Sequence, residues 1–118
     1  MLQVTIHTKL FEESIRFYEE VVGLSIMRDL RAQGREIVFL GKSQDDTFVE
    51  LIKTEDAEPF TNKNFSIGFP CENVDKEHFE LEFSGFTVTP VVSVNEQLCF
   101  FFVKDPNGVN VQLCGKPA

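Results

Sequence analysis

Tryptophan is absent, tyrosine occurs once, and basic residues are scarce: 11 Lys and Arg stand against 19 Asp and Glu, a net charge of −8. So negative a chain does not suit phosphate backbones, which excludes nucleic acid as a partner. Cysteine is limited to Cys71, Cys99 and Cys114, an odd number without a C-x-x-C pair. That argues against a disulfide framework or zinc knuckle and fits a reducing, cytoplasmic setting. No apolar run approaches the roughly 18 residues of a membrane helix, so no membrane partner is expected. The opening MLQVTIHTKL alternates like a strand and lacks the basic start and apolar stretch of a signal peptide. Phenylalanine is the excess. Thirteen Phe imply a core, and a pocket, built from plain aromatic surface.

The pattern along the 118 residues reads as one domain, 1–118, made of two similar modules, about 1–57 and 62–116. Residues 2–9 alternate, with Val4 and Ile6 on one face and Gln3, Thr5 and His7 on the other. Phe11, Ile15, Tyr18 and Val22 then fall at helical spacing, and Gly23 supplies a stop. Strand-like runs follow at 24–30, 36–41 and 47–53, with the polar connector Lys42-Ser43-Gln44-Asp45-Asp46 before the last. A strand at 65–71 begins the second round. Asn73 caps a helix running to about Ser84, with Val74, His78 and Leu81 on its core face and Gly85 ending it. Strands are expected at 86–92, 97–104 and 109–114, the last two joined by the turn Asp105-Pro106-Asn107-Gly108. One offset of 62 residues relates Gly23 to Gly85, Phe39 to Phe101 and Leu51 to Leu113. The arrangement is βαβββ, written twice.

The run Ser14-x-x-Phe17-Tyr18-x-x-x-Val22-Gly23-Leu24 resembles a signature of the vicinal oxygen chelate superfamily. That family includes glyoxalase I, bleomycin-resistance proteins and extradiol dioxygenases. Phe101-Phe102-x-x-Asp105-Pro106-Asn107-Gly108-x-x-x-Gln112-Leu113 is similar to its closing hairpin, with two residues rather than one before the Asp. The resemblance implies an α+β fold: paired βαβββ modules whose mixed sheets curl into an incomplete barrel around a cavity. It also implies a homodimer binding a small organic molecule.

By the same resemblance, four inward positions hold a metal in many members. Here they carry Gln3, Glu50, Ser66 and Gln112. One carboxylate, two amides and a hydroxyl form a weak set for a transition metal, so no cofactor is expected. A divalent Zn, Ni or Mn held by Gln3, Glu50 and Gln112 is the alternative. With only His7 and His78 in the chain, a two-His iron dioxygenase site is disfavoured. His7 lies two residue pairs along the strand from Gln3, about 13 Å, too far to share an ion. It is read either as a ligand contact or as a hydrogen-bonded strand histidine.

Phe48, Glu50 and Ile52 alternate onto the cavity face, where a carboxylate suits a general base or a partner for a cationic group. The ligand-binding set is therefore Gln3, Thr5, His7, Phe48, Glu50, Ser66 and Gln112, with Glu50 as the catalytic candidate. Arg28 and Arg35 are open between an anion anchor and charges on an exposed strand edge. The leading expectation is a small-molecule-binding protein without a tightly bound metal. The alternative is a metal-dependent glyoxalase-like lyase or isomerase using Glu50 as base.

Overall fold

The computed structural model describes residues 2–44 and 46–117. Met1, Ala118 and Asp45 of the predicted connector lie outside the described residues. The chain divides into two compact units, Met1–Pro59 and Phe60–Ala118.

In the first unit, β1 (Gln3–Thr8) leads into helix α1 (Phe11–Arg16) and a π-helical turn (Phe17–Val21). Strands β2 (Ser25–Asp29), β3 (Ile37–Gly41) and β4 (Phe48–Lys53) follow, with a 3-10 turn at Arg31–Gln33. The sheet order is β1-β4-β3-β2, with β1 and β4 parallel and the other pairs antiparallel. Alternation sorts the faces. Ile6, Val38, Leu40, Val49 and Leu51 are buried, and so are Phe11, Ile15, Tyr18 and Val22 of the helical segment, as their spacing predicted. The opposite face carries Gln3, Thr5, His7, Phe48, Glu50 and Phe39.

The Ser-x-x-Phe-Tyr motif is structural. Ser14, fully buried, shares a 3.2 Å hydrogen bond with the equally buried Thr8, whose Oγ1 also accepts from the backbone N–H of Leu10. Together they fix the chain's entry into α1. One continuous α-helix over 11–22 does not form: its second half is wound as a π turn. The wider turn brings consecutive side chains closer in angle, so neighbours Phe17 and Tyr18 are both buried, edge to face at 5.1 Å. Gly23 then takes φ 83°, and Leu24 donates its N–H back to the carbonyl of Tyr18, closing the helix.

The second unit contains β5 (Ser66–Pro70), α2 (Val74–Phe83), β6 (Val92–Asn95), β7 (Leu98–Lys104) and β8 (Asn110–Gly115). Its order, β5-β8-β7-β6, is that of the first sheet, with β5 and β8 parallel. The expected α+β fold of two βαβββ modules is therefore present. Asn73 caps α2, accepting from the N–H of Lys76. Asp105 organises the final turn, accepting from the N–H groups of Asn107 and Val109 at 2.8 Å each.

Two sequence readings fail here. The strand expected at 86–92 is displaced to Val92–Asn95, with a single bridge between Val88 and Val103 left behind. Pro90 has no N–H to give a ladder. Thr89 uses its hydroxyl to accept from the N–H of Phe102, and its carbonyl faces Nε2 of His78 at 3.0 Å. The equivalence of Phe39 with Phe101 also fails. Glu50 pairs with Phe39 and Gln112 with Phe102, so β3 and β7 are related by 63 residues while β4 and β8 keep 62. The buried Phe101 corresponds to buried Val38, and the half-buried Phe102 to Phe39.

Candidate functional site

On the open face of the first sheet, β1 and β4 run parallel with Thr5 opposite Glu50 and Gln3 opposite Phe48. The register brings three polar side chains together. Gln3 Nε2 donates to Glu50 Oε1 at 2.9 Å, and Thr5 Oγ1 donates to the same oxygen at 2.6 Å. Gln3 Nε2 also lies 3.4 Å from Thr5 Oγ1. Glu50 Oε2 has no partner among the described residues. The carboxylate is thus oriented by one oxygen and open at the other, half-buried on a face with aromatic neighbours. Phe39 and Phe48 flank it, edge to face with centroids 6.3 Å apart. Such a group can accept a proton or a hydrogen bond, or pair with a cation.

The other predicted residues are placed as follows. His7 is opposite Ile52, and its Nδ1 pairs with Thr54 Oγ1 at 2.9 Å, the hydrogen-bonded strand histidine of the two readings. Ser66 and Gln112 belong to the second unit. Ser66 is opposite Asn110 at the start of β5, exposed. Gln112 is opposite Gly68, and a Cβ at Gly68 would stand 3.2 Å from Gln112 Oε1, so the glycine makes room for that amide. Beside it Phe100 and Phe102 pack edge to face at 5.8 Å. Of the two arginines left open, Arg28 sits on β2 opposite Phe39, with its guanidinium 5.6 Å from the ring centroid.

Among the described residues no group of three or more His, Cys, Asp and Glu side chains is placed to hold a metal. The Gln3 amide and the Thr5 hydroxyl both spend donors on Glu50, surrounding it with hydrogens rather than with further ligand atoms. The thiols are set apart from this chemistry. Burial pushes both Cys71 and Cys99 above the usual thiol range, so each stays protonated at neutral pH.

Sequence reasoning did not find a second feature of the first unit. A cleft of about 410 Å³ opens at the entrance to α1, lined by Lys9, Leu10, Phe11, Arg31, Glu36 and Lys53 among others, and by none of the predicted site residues. Four of its six charged residues pair: Lys53 meets Glu36 at 3.2 Å, and Arg31 reaches Glu12 at 3.7 Å as well as Asp29 at 2.7 Å. The cleft has volume, whereas the open sheet face has a carboxylate oriented by two donors beside two aromatic rings. Polar atoms decide chemistry, so the sheet face is the stronger site.

Comparison with known proteins agrees with this architecture. The family model of the Glyoxalase/Bleomycin resistance protein/Dioxygenase superfamily matches residues 1–113. No curated protein sequence gives a significant match. Among solved structures, the trypanothione-dependent glyoxalase I of Leishmania major superposes with a TM-score of 0.78 at 22% identity, over 98% of this chain and 85% of that one. A glyoxalase family protein from Bacillus cereus also gives 0.78, at 16% identity over 100% and 94% of the two chains. An integron cassette protein from the mobile metagenome of the Halifax Harbour sewage outfall gives 0.72 at 23% identity, over 98% and 97%. These similarities establish the fold. With two βαβββ units in the same strand order and the family model spanning nearly all of it, the chain belongs to the Glyoxalase/Bleomycin resistance protein/Dioxygenase superfamily.

Proposed function

We propose that the protein binds a small organic molecule on the open face of its first sheet, without a tightly held metal. One observation carries this reading: Glu50 is anchored through Oε1 by Gln3 and Thr5 while Oε2 stays unshared. A purely structural carboxylate gains nothing from an open oxygen beside two aromatic rings, whereas a binding group requires one. Gln3 and Thr5 orient Glu50, and the rings of Phe39 and Phe48 flank it.

The donors brought together on the first sheet do not fit a resident transition metal, since Gln3, Thr5 and Glu50 provide a single anionic ligand. The working form is a homodimer in the cytoplasm. Exposed apolar side chains, notably Phe79 at 66% and Phe83 at 84%, support the first part. Three free thiols support the second. The acidic surface keeps the protein off nucleic acid, and among the described residues no helix is long and apolar enough to cross a membrane.

A second reading, a glyoxalase-like lyase or isomerase, is favoured by the contact of Gln3 with Glu50 at the family's first two ligand positions. In it Glu50 Oε2 takes a proton from the carbon beside a substrate carbonyl, and Gln3 and Thr5 hold the carboxylate in place.

The test is a ligand-observed NMR screen of small polar metabolites against the parent protein and Glu50→Gln. The variant is expected to keep the parent's melting temperature and to lose at least tenfold in affinity for every hit, about 1.4 kcal/mol. Unchanged affinities would place the site elsewhere. Unfolding of the variant would make Glu50 a structural hub instead.

A further inference from the structure

Thr5, Glu50, Phe39 and Arg28 form a single row across the four strands of the first sheet, each opposite the next in register. From this row we propose that Arg28 is a carboxylate anchor for the ligand bound at Glu50. The ligand is then dipolar, with an ammonium or other donor at Glu50 and a carboxylate at Arg28. This inference rests on the function proposed above and adds the chemical class of the ligand.

Three observations carry it. The first is a β-bulge. Ile26 pairs with Leu40, but Arg28, two residues on, pairs with Phe39, only one residue back. Without the extra residue, Arg28 would point to the same face as Leu40, which is fully buried. The bulge turns it onto the open face, the kind of re-aiming that bulges perform beside binding sites.

The second is the state of the guanidinium. It lies against the Phe39 ring at 5.6 Å, which limits its motion, yet it makes no hydrogen bond or ion pair among the described residues. Its planar fork of donors is therefore free for a carboxylate, the group it matches in two-point geometry. The third is charge. By alternation, Arg28 is the one Arg or Lys that β1–β4 place on this face; Lys53 points to the other side, where it meets Glu36. In a protein of net charge −8, a lone cation two strands from an open carboxylate makes a two-point clamp. The Cα rows are roughly 9–10 Å apart at ordinary strand spacing, enough for an aromatic ring or short chain between the two ends.

The experiment titrates 4-(aminomethyl)benzoate, benzylamine and 4-methylbenzoate into the protein by ¹H–¹⁵N NMR. The parent is expected to bind the two-ended probe at least tenfold more tightly than either single-ended one. Arg28→Gln should reduce 4-(aminomethyl)benzoate to the level of benzylamine while benzylamine itself is unaffected. Arg28→Lys, which keeps the charge and loses the fork, should fall between. Glu50→Gln should weaken benzylamine and leave 4-methylbenzoate unaffected. The anchor is overturned if Arg28→Gln binds the two-ended probe as the parent does, or if it loses benzylamine equally. It is also overturned if the parent binds no two-ended probe in the millimolar range. If the Arg28 variants alone are silent, the Glu50 site stands without this anchor. If Glu50→Gln leaves all three affinities unchanged, the site itself is wrong.

Discussion

Arg28 and Asp29 are adjacent in β2 but face opposite sides, and their partners determine what each can do. Arg28 keeps its donors. Asp29 spends both oxygens on Arg31, which meets them through Nε at 2.9 and 3.2 Å and through Nη2 at 2.7 Å, while the Arg31 N–H adds a backbone bond. The hydrogen bonds from Arg31 pull the Asp29 carboxyl down from its ordinary 3.8 to about 2. A folded value below the unfolded one means that this contribution is present above about pH 4 and is lost as pH falls through about 2. A carbon-detected NMR titration should therefore find the Asp29 midpoint near 2, and Arg31→Ala should return it to the ordinary range. A parent midpoint near 3.8 would show that the fork is not formed in solution. Both partners are 38% exposed, so the pair is screened by salt and the same substitution should hardly move the melting temperature at neutral pH.

At the scale of elements, the legible parts of the fold were those encoded locally. The helical segment beginning at Phe11, the Asn73 cap, the glycine stops and the Asp105–Gly108 turn follow from spacing and backbone preference, and each is where the residues put it. Elements that depend on distant partners were not legible. The strand expected at 86–92 fails partly at Pro90, a local breaker, and partly because Thr89 is taken by Phe102 and His78, neither of them close in sequence. The π turn arises because two neighbouring rings both find core space. The final turn offers a direct test of a local device. Gly108 has φ 93°, and a Cβ there would stand 2.6 Å from the carbonyl oxygen of Phe60, a residue whose N–H donates to the Asn107 carbonyl. Gly34 has a similar φ of 79° with nothing near its would-be Cβ. Gly34→Ala should cost about 1 kcal/mol for the left-handed backbone alone. Gly108→Ala adds a clash and should cost on the order of 2–3 kcal/mol. Urea denaturation of both variants measures the difference. Equal losses would mean that the Phe60 segment yields freely.

Across the whole molecule, two units of one topology carry different chemistry on their open faces. The first presents Gln3, Thr5, Glu50, Phe39 and Arg28. The corresponding strands of the second present Ser66, Gly68, Gln112 and Phe102, without a carboxylate. The resemblance implies Gln3 and Glu50 as residues of one face, and the two side chains do hydrogen-bond there. The Arg28 row could not be located from the sequence, because its face is set by a bulge that no local pattern announces. The same asymmetry governs metal affinity. A tight divalent site draws on several anionic or imidazole ligands, and beside Gln3 and Thr5 the first sheet places one carboxylate, Glu50, already bonded to two donors. A metal present at a hundred times its dissociation constant would stabilise the fold by about 2.7 kcal/mol. For a chain of this size that amounts to roughly 8–16 °C in melting temperature. Tag-free protein should therefore carry well under one equivalent of Zn, Ni, Mn or Fe. Adding any of these metals should shift the melting temperature by less than about 2 °C, corresponding to well under 1 kcal/mol. Stoichiometric metal in the isolated protein, with a large loss of melting temperature on chelation, would overturn the metal-free reading and favour the lyase.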